Sequence, residues 1–303
     1  MNARSTVGVL AMAYGTPRHR DEILAYYTDI RRGRPPTDEQ LADLVQRYEA
    51  IGGLSPLRQR TERQRDVLQA ALGEGFIVEL GMKHSAPSIE DGVAALIAAG
   101  ASCLVGLVLA PHDSVASVGT YLQRFGDAAA AADVTARSVR SWAVDPAFVD
   151  FTSAAIVEAM ATLPAGSELV VTAHSLPQRV IDAGDVYVDE VNATAKAVTD
   201  GLPNPPRWQV GWQSAGRTGE AWIGPDINEI IIDAAQRGVP GIAVSAVGFV
   251  ADHLEVLYDL DIAAAHVAEQ HGIAFARTRC VNDDPAVLGS LAERIRAIAE
   301  ECR

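Results

Sequence analysis

Short apolar runs alternate with longer segments of helical period along almost the whole chain, and this alternation restricts the fold more than any other feature. The strand candidates are Val7–Ala11, Phe76–Leu80, Leu104–Leu109, Val134–Val139, Glu168–Thr172, Trp208–Trp212, Ile242–Val247 and Ile273–Arg277. Most are apolar or β-branched at consecutive positions, which is typical of parallel strands covered on both faces. The pattern predicts a doubly wound α/β protein.

The helical segments between these strands complete the predicted organisation. They include Asp38–Ala50, Arg60–Leu72, Ile89–Ala99, Asn228–Gln236, Asp252–Gln270 and a last helix near Pro285–Ala299. Because the strands divide four and four around residue 140, we expect one domain over residues 1–138 and a second over 139–280. The C-terminal segment, residues 281–303, is expected to pack back on the first domain. Ligands of such sheets collect at the carboxyl ends of the strands, so polar residues there are the best candidates for a site.

The charge balance narrows the range of partners. The chain has 39 Asp and Glu against 25 Lys and Arg, a net charge of −14. Such a surface repels nucleic-acid phosphates and anionic lipid, so neither nucleic acid nor membrane is expected as a partner. The longest apolar run, from Gly241 to Ala251, is shorter than the roughly 18 residues of a membrane span. The apolar start, Val7–Ala13, fits a buried strand better than a signal peptide and predicts a cytoplasmic protein.

The three cysteines give no sign of a cofactor site. Cys103, Cys280 and Cys302 are widely spaced and form no CxxC pair. We therefore expect no disulfide framework and neither a zinc nor an iron–sulfur site.

Two groups of residues could form a metal site. Asp252, Glu255 and Asp259 would share one face of a continuous helix, either as a solvated acidic face or as a face directed at a ligand. His174 follows a predicted strand, where a lone histidine is either structural or functional. One imidazole together with the Glu255 carboxylate would make a weak, open site for a divalent metal.

A basic region lies in the first half of this acidic chain. It contains Arg31, Arg32 and Arg34, with Arg47 and Lys83 further along. Arginine binds carboxylates and phosphates with two parallel hydrogen bonds, so the region fits either a small polyanion or solvated charge at a helix end. The nearby pair Gly52-Gly53 lacks the spacing of a nucleotide-binding loop, which disfavours a nucleotide.

Ordered motifs from about residue 7 to 280 resemble the ferrochelatase family, and most closely its coproporphyrin III branch. The motifs are Met12-Ala-Tyr-Gly-Thr-Pro17, Tyr26-Tyr-Thr-Asp-Ile-Arg-Arg-Gly-Arg34, Arg47-Tyr-Glu-Ala-Ile-Gly-Gly-Leu-Ser-Pro-Leu57, Leu109-Ala-Pro-His112, Ala173-His-Ser-Leu-Pro177, Trp212-Gln-Ser214, Gly224-Pro-Asp226 and Val247-Gly-Phe-Val-Ala-Asp-His-Leu-Glu-Val-Leu-Tyr-Asp259. No single motif is decisive, but their ordered combination is specific. Tyr14 separates the branches, because the protoporphyrin branch usually reads Asn-Leu-Gly-Thr-Pro at this turn.

The resemblance implies insertion of ferrous iron into a porphyrin, here coproporphyrin III, with release of two protons. It implies a chelatase-like fold, with the porphyrin in a cleft between two Rossmann-like domains. His174 and Glu255 would bind the metal on one face of the macrocycle, and Tyr14 would ligate the product iron from the other. Contacts to the porphyrin or its propionates are implied at Arg31, Arg47, Tyr48, Ser55 and Tyr121.

The resemblance also sets expectations for the surroundings of this site. Asp259 would act as a relay toward solvent, but Ala263 stands where relatives often carry a further carboxylate, so an outer metal site is in doubt. Fe²⁺ is expected as a substrate, with no permanently bound cofactor and no 2Fe–2S cluster. We expect a monomer that makes transient contact with the next enzyme of heme synthesis. The alternatives are a protoporphyrin ferrochelatase, a cobalt or sirohydrochlorin chelatase, and a carrier of tetrapyrrole or metal without turnover.

Overall fold

The computed structural model describes residues 6–216 and 218–301, and over these residues it contains two four-stranded sheets. The strands are β1 (Thr6–Ala13), β2 (Phe76–Met82), β3 (Ala101–Val108), β4 (Thr135–Val139), β5 (Glu168–His174), β6 (Trp208–Gln213), β7 (Gly241–Ser245) and β8 (Ala274–Arg277). One sheet has the order β2-β1-β3-β4 and the other β6-β5-β7-β8, and every pairing is parallel. The predicted fold class is confirmed.

Helices cover the sheets and connect their strands. They are α1 (Ile23–Ile30), α2 (Asp38–Ala50), α3 (Leu57–Leu72), α4 (Ile89–Ala98), α5 (Val118–Ala131), α6 (Pro146–Met160), α7 (Gln178–Asp182), α8 (Tyr187–Asp200), α9 (Ile227–Gln236), α10 (Leu254–Leu257), α11 (Ala265–Gln270) and α12 (Pro285–Glu300). A 3₁₀ turn (Arg20–Glu22) precedes α1, and a π-helical segment (Asp259–Ala264) lies between α10 and α11. Side-chain caps begin several helices where the sequence has Thr37, Ser88 and Asp226.

One apolar core joins the two sheets. Leu107 of β3 and Val171 of β5 belong to the same buried cluster. The C-terminal helix α12 contributes Leu288 and Leu291 to that cluster, which also contains Leu68 of α3. Each sheet has a smaller second cluster on its other face. Both sheets are therefore covered on both faces, which explains why their strands are apolar at consecutive positions.

The expectation of one continuous helix over Asp252–Gln270 was wrong. The helix begins only at Leu254, because His253 has an extended backbone, and the chain then passes through α10, the π-helical segment and α11. Asp252 precedes the helix and pairs with Asn282 and Arg277. Asp252, Glu255 and Asp259 therefore do not form the shared acidic face that regular helical spacing predicted.

Two further sequence-based expectations concern the cysteines and membrane-spanning segments. The sequence predicts no disulfide framework; in the structure Cys103 in β3 is disulfide-bonded, and Cys280 is a buried free thiol. Cys302 lies outside the described residues. Over the described part of the chain, no helix combines the length and the apolar character needed to cross a membrane.

Candidate functional site

A central strand of each sheet has one candidate residue at or directly after its carboxyl end. β1 pairs with β2 and β3, and the turn directly after it carries Tyr14. β5 pairs with β6 and β7, and its last residue is His174. The predicted strand ended at Thr172, so the structure extends it to the histidine itself. Both residues stand at carboxyl ends of parallel strands, the usual ligand-binding edge of such sheets.

His174 and Glu255 come together from separate elements. The His174 Nε2 atom lies 3.7 Å from Glu255 Oε2, although 80 residues of chain separate the two positions. The other ring nitrogen, Nδ1, lies 2.5 Å from the carbonyl oxygen of Ser175, and the Tyr187 hydroxyl donates to the carbonyl oxygen of His174. These contacts orient the imidazole with Nε2 toward the carboxylate.

The electrostatics of this pair favour an imidazolium beside a carboxylate. Burial alone would lower the pKa of His174, but the charge of Glu255 and its hydrogen bond outweigh burial and raise that pKa above its ordinary value. Burial alone would raise the pKa of Glu255, but His174 and then His253 hold it well below its usual range. His174 is therefore a group that accepts and keeps a proton while Glu255 remains charged.

His253 is a third member of this cluster that the sequence reasoning did not single out. Its Nε2 atom lies 3.5 Å from Glu255 Oε2, and its Nδ1 atom lies 2.9 Å from the carbonyl oxygen of Ala251. Its ring packs against Phe249, with 4.9 Å between the centroids. The available signal was its position two residues before Glu255, but a regular helix would have directed the two side chains apart.

Asp259 lies one turn beyond Glu255 and connects the two halves of the molecule. Its Oδ2 atom accepts a hydrogen bond from Ser214 Oγ, and its Oδ1 atom lies 3.4 Å from Arg47 Nη1. Burial, followed by the charge of Glu255, raises the pKa of Asp259. The predicted relay residue thus lies near the His174–Glu255 pair, but it contacts Arg47, for which the resemblance implied a porphyrin contact.

Tyr14 is partly exposed and packs beside His84, with 4.6 Å between ring centroids. The His84 Nδ1 atom in turn lies 2.7 Å from Asp29 Oδ2. Burial and then the negative charge of Glu255 raise the pKa of the Tyr14 phenol above its ordinary value. The phenol is therefore protonated in the free protein, and it lies within electrostatic range of the His174–Glu255 pair.

The remaining candidates lie in the first half of the chain and differ in their exposure to solvent. Tyr48 and Tyr121 are buried, and burial raises the pKa of both phenols above the ordinary value. Ser55 is also buried, and its hydroxyl accepts from the backbone N–H of Leu57. Arg31 lies at the end of α1, where its guanidinium contacts the Tyr27 ring at 5.6 Å.

Arg47 and Lys83 are basic groups that each lie close to an aromatic ring. The Arg47 guanidinium contacts Asp43 at 3.0 Å and lies 4.7 Å from the centre of the Tyr258 ring. Lys83 Nζ lies 4.9 Å from the centre of the Tyr121 ring. Burial, followed by the charges of Arg124 and Arg32, lowers the pKa of Lys83 to about 8. An anion entering beside Tyr121 would meet a desolvated ammonium group.

The arrangement has the donors for a transient metal contact rather than a closed cage. Within residues 6–216 and 218–301, no group of three or more His, Cys, Asp or Glu side chains is arranged to hold a metal ion. His174 and Glu255 supply one nitrogen and one oxygen donor, the donor types that suit a borderline divalent cation.

Comparison with known proteins finds relatives that match nearly the whole chain. The ferrochelatase family model matches residues 6–298. The coproporphyrin III ferrochelatase of Bacillus subtilis is 41% identical over 301 residues, which cover 96% of this chain and 97% of that protein. The coproporphyrin III ferrochelatase of Geobacillus kaustophilus is 41% identical over 300 residues, 95% of each chain. A ferrochelatase of Herpetosiphon aurantiacus is also 41% identical, covering 96% of this chain and 98% of its own.

Solved structures show the same fold at low sequence identity. SirB from Bacillus subtilis with Fe³⁺ has a TM-score of 0.62 at 12% identity and covers 97% of this chain and 96% of its own. The sirohydrochlorin chelatase SirB from Bacillus subtilis subspecies spizizenii in complex with cobalt has a TM-score of 0.61 at 11% identity, with 98% and 96% covered. These structures show the fold alone, whereas the family model and the relatives at 41% identity show the family. This chain belongs to the ferrochelatase family.

Proposed function

We propose that the protein inserts Fe²⁺ into coproporphyrin III to give the iron porphyrin and two protons. The observation that carries the proposal is the approach of His174 Nε2 to Glu255 Oε2 at the carboxyl end of the central strand β5. The coproporphyrin III ferrochelatases that are 41% identical to this chain support coproporphyrin III as the substrate. Tyr14 supports the same choice, because the sequence of its turn distinguishes the two branches of the family.

The proposed reaction begins with binding of the porphyrin by its edges. Coproporphyrin III carries four propionates, and Arg31, Arg47 and Lys83 supply positive charge beside the cleft, with hydroxyls from Tyr48, Ser55 and Tyr121. Binding energy at the periphery would bend the macrocycle and expose the lone pairs of its nitrogens. To bind a propionate, Arg47 would exchange part of its contact with Asp43 or Asp259.

Proton removal and metal delivery would then occur on the side of His174. The porphyrin loses two pyrrole protons as Fe²⁺ enters. His174 first releases its proton to solvent, and the neutral imidazole then accepts the two pyrrole protons one after the other, while Glu255 stabilises each imidazolium that forms. Glu255 also contacts the incoming metal, and Asp259 passes hydrated metal inward and the released protons outward to solvent. On the opposite face, Tyr14 would ligate the iron of the product once that iron is oxidised.

The decisive experiment is anaerobic incubation with Fe²⁺ and coproporphyrin III, followed by absorption spectroscopy. Replacement of the free-porphyrin bands by those of the metalloporphyrin, in proportion to enzyme and time, is the expected result. Equal or better turnover of protoporphyrin IX would place the protein in the other branch, and turnover only of sirohydrochlorin or only with Co²⁺ would make it a chelatase of a different pathway. Stoichiometric binding without turnover would make it a carrier.

We further propose that the protein works in the cytoplasm as a monomer and passes its product to the next enzyme by transient contact. Fe²⁺ enters as a substrate, and no cofactor is assigned a permanent place. The supporting features are the acidic surface, with a net charge of −14, and the buried first strand β1. Light scattering of the purified protein tests the monomer directly, because a dimer would double the measured mass.

A further inference from the structure

Glu255 lies in the first turn of a helical stretch that runs through α10, the π-helical segment and α11. The N-cap residue of this stretch, His253, makes no side-chain capping bond. The position of this first turn relative to His174 therefore depends on contacts made by the residues on either side of it.

Asn282 holds the chain just before α10. The backbone N–H of Asp252 donates to Asn282 Oδ1 at 2.9 Å, and Asn282 Nδ2 donates to Asp252 Oδ2 at 2.8 Å. The backbone N–H of Asn282 donates to the carbonyl of Val250 at 2.7 Å. Asn282 has a positive φ of 47°, a conformation that asparagine and glycine adopt more readily than other residues. The amide side chain is thus matched to Asp252 by both hydrogen bonds and backbone shape.

Arg277, the last residue of β8, joins the two ends of the same segment. Its Nε and Nη2 atoms contact the two carboxylate oxygens of Asp261 at 2.6 and 3.0 Å. Its Nη2 atom also lies 3.3 Å from Asp252 Oδ1. The guanidinium is mostly buried and spans from the residue before α10 to the π-helical segment after it. Glu255 lies between these two anchors.

We infer that Arg277 and Asn282 form a positioning network that sets the distance between Glu255 and His174. This distance determines how well the protein uses its metal substrate. This inference rests on the proposed function and deepens it. Arg277 touches neither proposed substrate, so it acts through Asp252 and Asp261. The planar fork of arginine can contact both carboxylates at once, whereas the single ammonium of lysine cannot reproduce this geometry.

The test compares Arg277→Lys and Asn282→Gly with wild type. Loosening groups that orient a metal ligand typically costs 10- to 100-fold in metal affinity or activity, so we expect the KM for Fe²⁺ to rise at least about tenfold in both variants. The KM for coproporphyrin III should change little, because the propionate contacts lie on other elements. Glycine accepts the positive φ at position 282, so Asn282→Gly removes the side-chain contacts without backbone strain.

Arg237→Lys is the matched control. Arg237 also joins two carboxylates in the second half of the chain, with contacts to Glu168 at 2.7 Å and to Asp233 at 2.8 Å. Glu168 begins the strand that His174 ends, and seven residues of strand place these ends about 20 Å apart. A general loss of stability should therefore appear in both arginine variants, whereas a selective rise in the KM for Fe²⁺ should appear only at Arg277.

The outcomes separate the inference from the function on which it rests. If wild type inserts iron but both variants keep the wild-type KM for Fe²⁺, or if both substrates' KM values rise together, the positioning role is wrong. If Arg277→Lys does not fold, Asn282→Gly alone decides. If wild type inserts no metal, the proposed function fails, and Zn²⁺ binding measured by calorimetry then tests the network. Equal Zn²⁺ affinity in wild type and variants would overturn the positioning role, whereas weaker binding by the variants would support it.

Discussion

His174 is the imidazole that ends β5 with Nε2 directed at Glu255, so its removal should stop the chemistry without removing the cleft. General acid–base groups typically contribute about 10²- to 10⁴-fold to rate, and we expect a loss of this size in iron insertion by His174→Ala. Coproporphyrin III binding, measured by fluorescence quenching, should be retained. His266→Ala, on the exposed face of α11, is the control for histidine loss in general. Normal turnover by folded His174→Ala would exclude His174 from the mechanism.

Tyr14 differs from His174 because its proposed role concerns the product and not the insertion step. Burial and the charge of Glu255 raise the phenol pKa, so only a strong Lewis acid such as ferric iron would hold the oxygen ionised at neutral pH. Ferric product bound to wild type should show a tyrosinate charge-transfer signal in resonance Raman spectra. Tyr14→Phe keeps the ring against His84 and removes the oxygen, so the signal should vanish while insertion continues at a reduced rate. An unchanged iron–oxygen signature would make Tyr14 a packing residue.

At the scale of elements, the loop after β3 is joined to α8 by a buried histidine. His112 Nε2 lies 2.9 Å from Thr194 Oγ1, and the imidazole is almost fully buried. Burial lowers its pKa to about 3. The unfolded chain, with an ordinary histidine pKa near 6.5, therefore binds this proton more readily than the folded protein does. The resulting stability is fully present above about pH 6.5 and is lost as the pH falls toward 3.

This pH dependence can be measured by urea unfolding of wild type and His112→Gln between pH 7 and pH 5. Other groups titrate equally in both proteins, so the difference between their curves isolates His112. Below pH 6.5 the free energy of unfolding of wild type should fall more steeply, by about 1.4 kcal/mol per pH unit relative to the variant. Parallel curves would show that the imidazole is protonated, or exposed to solvent, in the folded state.

The segment from Asp252 to Gln270 shows where element prediction fails. Its apolar spacing is helical, and the sequence predicted one regular helix. The structure starts that helix later and inserts a π-helical segment, since Asn282 holds Asp252 outside the helix and Arg277 holds Asp261. Local propensity contains no information about partners that lie more than fifteen residues along the chain. The consequence is chemical, because His253 and Glu255 meet only in this irregular geometry.

For the whole molecule, the distribution of charge predicts substrate choice. A protein of net charge −14 concentrates Arg31, Arg47 and Lys83 in the first half of its chain, and we propose that these residues meet the propionates of the porphyrin. Protoporphyrin IX offers two propionates where coproporphyrin III offers four. Each lost buried charge-assisted contact typically costs about 1–3 kcal/mol. We therefore expect kcat/KM for coproporphyrin III to exceed that for protoporphyrin IX by at least about tenfold, and equal values would contradict the assignment.

The sequence by itself determined the fold class, the division into four and four strands and the identity of the main candidates. Parallel strands buried on both faces must be apolar at consecutive positions, and this requirement is visible in any window of a few residues. The predicted helix starts at Asp38 and Ile89 agree with the structure, where Thr37 and Ser88 supply local caps, whereas α9 begins at Ile227, one residue before the predicted start.

Only the tertiary structure decided which of the candidates meet. The contact of His174 with Glu255, the ion pair between Arg47 and Asp259 and the removal of Asp252 from the acidic face each join residues on different elements. Arg47 and Asp259 are 212 residues apart, a separation that no periodicity can register. Distances of this kind follow from how the two sheets and their helices pack around one shared core, and packing is a property of all the elements together.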